Sequence, residues 1–227
     1  MKIGLQFAMP VELHALPSAK ELEPFETVSG VPFYEIAPNI IACAGGVSKV
    51  NAAMAAEILC LKYGVDLILN AGVAGCAASL PTGSLVIASE FLQHDVDTTT
   101  VGDPIGLVST VNRIEFPTDG TDKLCSILKE LGVEHLTGKV ATGEVFMVKG
   151  QRTDWVAQTF APTLCEMEGG AIAQVCLRNG VKFTALKSVS DRLRHENNAE
   201  EFFNFGEAMA KLNTIVLPVA RKLRDGE

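Results

Sequence analysis

The chain has 227 residues, of which 48% are hydrophobic, and a formal net charge of −8 at pH 7. This length and apolar content suit one large α/β domain or two small ones. The acidic balance argues against a nucleic-acid surface, which needs clustered lysine and arginine. Every apolar run is interrupted before it reaches membrane-spanning length, and Pro10 breaks the first run too early for a signal peptide. We therefore expect a cytoplasmic protein whose partner is a small molecule or another protein.

Short apolar runs alternate along the chain with segments of helical period. The apolar runs predict strands at residues 2–7, 39–44, 66–70, 84–91, 139–142, 163–166 and 182–189. The helical segments predict helices at residues 10–20, 119–131, 150–158, 169–178 and 199–223, and one that the Ser48 side chain caps and that runs to about residue 63. Residues 94–117 are predicted to form a long loop. The alternation predicts a single α/β domain over residues 1–227, with a mostly parallel, mixed central sheet flanked by helices.

No part of the sequence has the spacing of a metal site. The six cysteines lie apart without a CxxC pair, which predicts reduced, mostly buried thiols. The segments His94-Asp95-Val96-Asp97 and His195-Glu196 have no partner at ligand spacing, so we predict that both are solvated loops. We expect no metal.

Acidic residues follow three of the predicted strands. Glu12 comes after the first strand, the Glu166-Met167-Glu168 segment joins a strand to a helix, and Asp191 ends the last strand. Ligands of α/β proteins bind at such open sheet ends, where carboxylates can hold sugar hydroxyls or move protons. Each acid also has an ordinary explanation: Glu12 in the first turn of a helix, Glu168 as a helix cap, and Asp191 in a surface turn or paired with Arg192.

Glycine-rich and apolar segments leave further alternatives open. Gly45-Gly46 and residues 70–75 are either tight strand-to-helix turns or sites where backbone N–H groups meet a phosphate or a sugar. Phe146 and Met147 either pack in the core or offer an aromatic face to a planar base. The same two alternatives, core or ligand wall, apply to Phe202, Phe203 and Phe205.

Five of these segments occur in a recognisable order, at residues 8–12 (AMPVE), 46–53 (GVSKVNAA), 70–75 (NAGVAG), 166–173 (EMEGGAIA) and 188–191 (SVSD). Together they resemble the bacterial 5′-methylthioadenosine/S-adenosylhomocysteine nucleosidases of the nucleoside phosphorylase superfamily, over nearly the whole chain. The resemblance implies hydrolysis of the bond between adenine and the thio-sugar. It also implies no metal or organic cofactor, and a homodimer in which a loop near residue 101 of the neighbour helps to close the pocket.

The resemblance also implies roles for individual residues. Asp191 matches the general acid that protonates the base, Glu12 the general base that activates water, and Glu168 the group that holds the ribose hydroxyls. Phe146 matches the ring that stacks on adenine, and main-chain groups at Met147 match those that read its edge. The predicted substrate-binding set comprises Glu168, Met167, Phe146, Met147, Ser190, Met9, Ala8, Val47, Val73 and Phe202.

The chain departs from the family pattern at four positions. Val73 replaces a hydroxyl residue, Lys187 an arginine, Val101 an aromatic residue and Arg192 a small apolar one. Loss of a hydroxyl and of a fork-shaped guanidinium weakens a phosphate site, which favours hydrolysis over phosphorolysis. The alternatives are a futalosine or aminodeoxyfutalosine nucleosidase, a phosphate-dependent purine nucleoside phosphorylase, and a non-catalytic nucleoside-binding protein.

Overall fold

The structure, a computed structural model, describes residues 1–17, 19, 21–193 and 204–226. Its strands are β1 (Ile3–Phe7), β2 (Glu26–Val28), β3 (Val31–Ala37), β4 (Ile40–Ala44), β5 (Leu67–Cys76), β6 (Leu85–Gln93), β7 (Glu115–Pro117), β8 (Leu136–Thr142), β9 (Leu164–Glu166) and β10 (Lys182–Arg192). Its helices are α1 (Pro10–His14), α2 (Lys49–Leu61), α3 (Thr121–Glu130), α4 (Gln151–Phe160), α5 (Gly169–Asn179) and α6 (Phe205–Asp225).

All ten strands belong to one mixed sheet in the order β10-β6-β8-β9-β5-β1-β4-β3-β2, with β7 paired to β6. A further pairing between β10 and β5 closes part of the sheet into a ring. The pairs of β1 with β4 and β5, of β5 with β10, and of β8 with β6 and β9 are parallel. The predicted α/β architecture with a mixed central sheet is confirmed.

The core lies on both faces of this sheet. Leu67 and Leu69 of β5 pack in a cluster with apolar residues of α1, α3 and α6. Ile68, which points to the opposite face, packs with residues of α2 and α5. Burial on both faces explains why residues 67–69 form an unbroken apolar run, as is usual for the central strands of a sheet covered by helices.

Several predicted elements have different bounds in the structure. The first helix ends at His14 and not near residue 20, because Pro17 disfavours helical geometry at the residue before it. Strand β5 does not stop at Asn70 but continues through the glycine-rich segment to Cys76, paired with β10 along its length. The loop at 94–117 contains two short 3-10 turns and the strand β7.

The hairpin of β2 and β3 was not predicted. Ser29 and Gly30 connect its strands, with φ angles of 51° and 80°, as the type I′ turn of a two-residue hairpin requires. Pro32 interrupts the apolar pattern of β3 on the side that faces the edge strand β2. Because proline makes a run look unlike a strand, the sequence pattern hides this hairpin.

Within the described ranges, no helix is long and apolar enough to cross a membrane. Among the same residues, no group of three or more histidine, cysteine or acidic side chains is placed to hold a metal ion.

Candidate active site

One cavity brings together residues from the ends of β1, β4, β5, β8, β9 and β10. The segments that follow strands supply most of its lining, and β5 and β10 contribute through their last residues. The lining residues are Ala8, Met9, Glu12, Val47, Val73, Ala74, Gly75, Val145, Phe146, Met147, Cys165, Glu166, Met167, Glu168, Ser190, Asp191 and Leu193. All predicted site residues within the described part of the chain lie in this set; Phe202 lies outside the described residues.

Glu12 lines the cavity and is buried, with 1% of its surface exposed. Its Oε2 accepts hydrogen bonds from the amides of Ala8 (3.0 Å) and Met9 (2.9 Å), and Oε1 accepts one from Val73 (3.1 Å). Burial raises the pKa of Glu12, and these amides together with the charge of Lys187 oppose the rise. The carboxylate is therefore fixed in position and kept more basic than an exposed glutamate.

Glu168 stands at the N-cap position of α5, as one interpretation of the sequence suggested, but its side chain makes no capping hydrogen bond. Its Oε1 accepts a hydrogen bond of 3.0 Å from the backbone amide of Ser48, at the start of α2. The Ser48 side chain makes no capping hydrogen bond, so the prediction that Ser48 caps α2 through its side chain was wrong. Burial raises the pKa of Glu168 to about 7, helped by the negative charge of Glu166.

Glu166 caps α5 and forms a buried ion pair. Its Oε2 accepts hydrogen bonds from the amides of Glu168 (3.1 Å) and Gly169 (2.8 Å) and from the Lys187 ammonium (3.2 Å). Its Oε1 accepts one from the Thr142 hydroxyl. The side chains of Lys187 and Glu166 are only 3% and 2% exposed, so Lys187 neutralises Glu166 inside the protein. Sequence analysis gave Glu166 no role; a lysine inside the apolar run of β10 was the signal that a buried acid must face it.

Asp191 is buried, with 6% of its surface exposed, and does not lie in a surface turn. A register shift between Val189 and Asp191 in the pairing of β10 with β5 marks a bulge, which redirects the side chains there. Asp191 Oδ1 accepts a hydrogen bond of 2.6 Å from the Ser190 hydroxyl. Burial raises the pKa of Asp191, and the Ser190 bond opposes the rise. Arg192 is exposed and donates to the Leu80 carbonyl at 3.3 Å.

The remaining lining is apolar and partly open. The Phe146 side chain is 53% exposed and Val47 is 42% exposed, whereas Met147 is buried. Met9, Val73 and Met167 are half-buried along the same cavity. An aromatic ring that is half exposed beside a cavity is suited to stacking on a planar ligand.

His94 and Asp95 do not form the solvated loop that was predicted. His94 is 1% exposed, and Asp95 is half-buried in an ion pair of 2.7 Å with Lys49. The prediction was wrong because the apolar strand β6 runs to Gln93 and carries the next residues into the protein. His195 and Glu196 lie outside the described residues.

Comparison with known proteins identifies the family. Residues 2–220 match the family model described as the phosphorylase superfamily. The chain belongs to the phosphorylase superfamily. Within it, the chain is 35% identical over 207 residues to the 5′-methylthioadenosine/S-adenosylhomocysteine nucleosidase of Shewanella halifaxensis, which covers 87% of this chain and 89% of that protein. It is therefore a member of this nucleosidase family, as the five motifs predicted.

Solved structures of superfamily members have the same fold. The Helicobacter pylori 5′-methylthioadenosine/S-adenosylhomocysteine nucleosidase superposes with a TM-score of 0.87 at 26% identity, covering 98% of each chain. The futalosine hydrolase of Helicobacter pylori superposes equally well, with a TM-score of 0.87 at 27% identity, covering 98% of this chain and 97% of that one.

Proposed function

We propose that this protein is a purine-nucleoside N-ribohydrolase that cleaves the adenine–ribose bond of 5′-methylthioadenosine and S-adenosylhomocysteine. The observation that carries the proposal is the meeting of three buried carboxylates, Glu12, Glu168 and Asp191, in one cavity beside the exposed ring of Phe146. Support comes from the Helicobacter pylori nucleosidase, whose bound ligand joins an aminopyrrolopyrimidine to a hydroxypyrrolidine that bears a propynylthiomethyl arm. Such a molecule resembles adenine, a ribosyl cation and a 5′-thio group.

Asp191 acts as the general acid in this proposal. Cleavage of the bond leaves an electron pair on the purine and positive charge on the ribosyl ring, so the leaving base needs a proton. Burial raises the pKa of Asp191, which shifts the carboxyl group towards the protonated form that a general acid needs. The hydroxyl of Ser190 holds the carboxyl group at a fixed angle.

Glu12 acts as the general base. It takes a proton from the water whose oxygen bonds to the anomeric carbon, so that nucleoside and water give adenine and a free sugar. Its three backbone hydrogen bonds fix the carboxylate, and burial makes it more basic. In its ionised form, Glu168 accepts hydrogen bonds from the ribose hydroxyls and stabilises the positive charge that develops on the ring.

The charges of the cavity favour water over phosphate as the nucleophile. The cavity is lined by four acidic side chains, those of Glu12, Glu166, Glu168 and Asp191. No lysine or arginine is among its described lining residues. The nearby ammonium of Lys187 is already bound to Glu166. A phosphate dianion would therefore meet carboxylates without a free cation to hold it.

The likeness to futalosine hydrolase supports a second candidate substrate class. A side-by-side assay of base release from 5′-methylthioadenosine, S-adenosylhomocysteine, aminodeoxyfutalosine and inosine separates the two. The proposal predicts the highest kcat/KM on the two thioadenosines. A preference of tenfold or more for aminodeoxyfutalosine would identify the protein as a futalosine-type nucleosidase instead. Binding without base release would identify it as a non-catalytic nucleoside-binding protein.

We further propose that residues 1–227 form one nucleosidase domain that works as a homodimer. What supports this is the exposure of three large apolar side chains that a subunit interface would bury: Val101, Val50 and Leu61 are 79%, 75% and 70% exposed. Light scattering of the purified protein tests this, and a monomer at micromolar concentration would refute it.

A further inference from the structure

Two walls of the cavity come from segments far apart in the sequence. Residues 46–50 lead into α2 and carry Val47 and the Ser48 amide, which binds Glu168. Residues 143–147 lead out of β8 and carry Phe146 and Met147. In the proposed function, residues 46–50 contact the sugar and its 5′ group and are here called the sugar wall. Residues 143–147 contact the base and are here called the base wall.

Asp95 joins these two walls through its two carboxylate oxygens. Oδ1 accepts a hydrogen bond of 2.7 Å from the Lys49 ammonium, and Oδ2 accepts one of 2.9 Å from the Glu144 amide. Glu144 Oε1 in turn accepts a hydrogen bond of 2.9 Å from the Lys49 amide. These three contacts form a closed cycle, here called the Asp95 bridge.

His94, which precedes Asp95, holds the base wall in place. The His94 amide donates to the Thr142 carbonyl at 2.9 Å, and the His94 ring lies directly against Gly143. A Cβ at Gly143 would lie 2.2 Å from His94 Nε2, so only glycine fits there. The segment that carries Phe146 is therefore held on the end of β6 by two successive residues, His94 and Asp95.

The setting of the bridge makes it stronger than a surface ion pair. The side chains of Lys49 and Asp95 are 19% and 14% exposed, so water screens the pair only partly. Burial opposes ionisation of Asp95, but the hydrogen bonds from Lys49 and Glu144 outweigh it and hold its pKa below the ordinary value. Asp95 is thus a charged acceptor for both donors at neutral pH.

We propose that Asp95 is a positioning residue that couples the sugar wall to the base wall. It holds the two walls, before substrate binds, at the spacing that the sugar and the base of one nucleoside require. This inference rests on the proposed function for its substrate. A group that holds both walls before and during the reaction contributes equally to substrate and transition-state binding. Its loss therefore raises KM and leaves kcat nearly unchanged.

The test uses two variants of the full chain. Asp95→Asn keeps the shape but removes the charge and turns one acceptor into a donor; Lys49→Met removes the ammonium and keeps the stem. We expect KM for 5′-methylthioadenosine to rise about tenfold in each, with kcat within about threefold of wild type. The double variant should show little more than the larger single effect, because both changes break the same bridge. Glu130→Gln is the control for the loss of an ion pair as such: it removes a carboxylate from a pair of the same 2.7 Å length, to Lys222, that is more exposed and lies outside the cavity.

Amide hydrogen exchange provides a readout that does not depend on catalysis. Lys49→Met alters only the sugar wall, yet coupling predicts faster exchange in residues 143–147 without ligand. The inference is wrong if KM stays within twofold of wild type, if that exchange is unchanged, or if KM and kcat deteriorate together with a loss of global stability. A wild-type protein that releases no adenine would refute the proposed function instead. The exchange rates of residues 143–147 would still show whether the Asp95 bridge couples the two walls.

Discussion

Gly72→Ala should damage the site through Glu12. A Cβ at Gly72 would lie 2.6 Å from Glu12 Oε1 and 3.2 Å from the carboxyl carbon, closer than such atoms can approach. The carboxylate cannot shift without disturbing other contacts, because the amides of Ala8 and Met9 donate to its other oxygen at 3.0 and 2.9 Å. It must move away from β5, and its 3.1 Å hydrogen bond from the Val73 amide is the contact that breaks.

The size of the effect follows from that one hydrogen bond. A hydrogen bond to a charged group contributes about 1.5–3 kcal/mol, so kcat/KM should fall roughly 10- to 150-fold if the geometry of Glu12 is needed for water activation. The Val73 amide also lowers the pKa of Glu12, so the loss of its hydrogen bond raises that pKa. A general base must be ionised to act, and the acidic limb of the pH–rate profile should therefore shift to higher pH.

The assay is adenine release across a pH series, with folding checked by circular dichroism. Gly206→Ala is the control, because a Cβ there meets nothing within 4 Å and the position is helical. It should leave the rate unchanged and stabilise the protein by up to about 1 kcal/mol. A Gly72→Ala variant with wild-type rate and an unmoved acidic limb would refute the reasoning about Glu12.

Three further variants test the general acid, the buried ion pair and the raised pKa of Glu168. Asp191→Asn should lower kcat by about 10²–10⁴-fold with the fold intact, and a near-wild-type rate would remove Asp191 as general acid. Lys187→Met leaves Glu166 charged and unpaired in the interior, so urea unfolding should show a loss of about 3–5 kcal/mol; an unchanged midpoint would contradict a buried ion pair. Folding raises the pKa of Glu168 from 4.5 to about 7, so the folded state holds its proton more tightly and stability falls as pH rises through this range. Glu168→Gln should remove roughly 3 kcal/mol of that pH dependence, and an identical pH–stability curve would contradict it.

The sequence predicted those features that depend on local pattern. The apolar run at Leu67–Leu69 identifies a central strand, because burial on both faces leaves no polar position. Acids at or just beyond the ends of strands identify the edge where the cavity lies. The continuation of β5 to Cys76 was missed, because Gly72 and Gly75 make the segment look like a turn. Gly72 is needed for the close approach of Glu12, a contact between residues 60 positions apart in the chain that no local pattern reveals.

Contacts between a backbone group and a distant side chain were equally hidden. The Ser48 amide donates to Glu168, and the Glu144 amide donates to Asp95. Because every residue except proline has a backbone N–H, the identity of the donor residue gives no sign of either bond. Buried charge is different, since a lysine in an apolar strand requires a partner. Lys187 could have led to Glu166 on that ground, but its sequence signal was interpreted only as a departure from the family pattern.

The central claim is that water, not phosphate, attacks the ribosyl ring of an adenine nucleoside in the cavity of Glu12, Glu168 and Asp191. The most direct measurement is adenine release from 5′-methylthioadenosine in phosphate-free buffer, repeated with added phosphate, with the sugar product identified by mass. We expect the same rate in both conditions and free 5-methylthioribose as the product. Release that needs phosphate and gives the sugar 1-phosphate would contradict it.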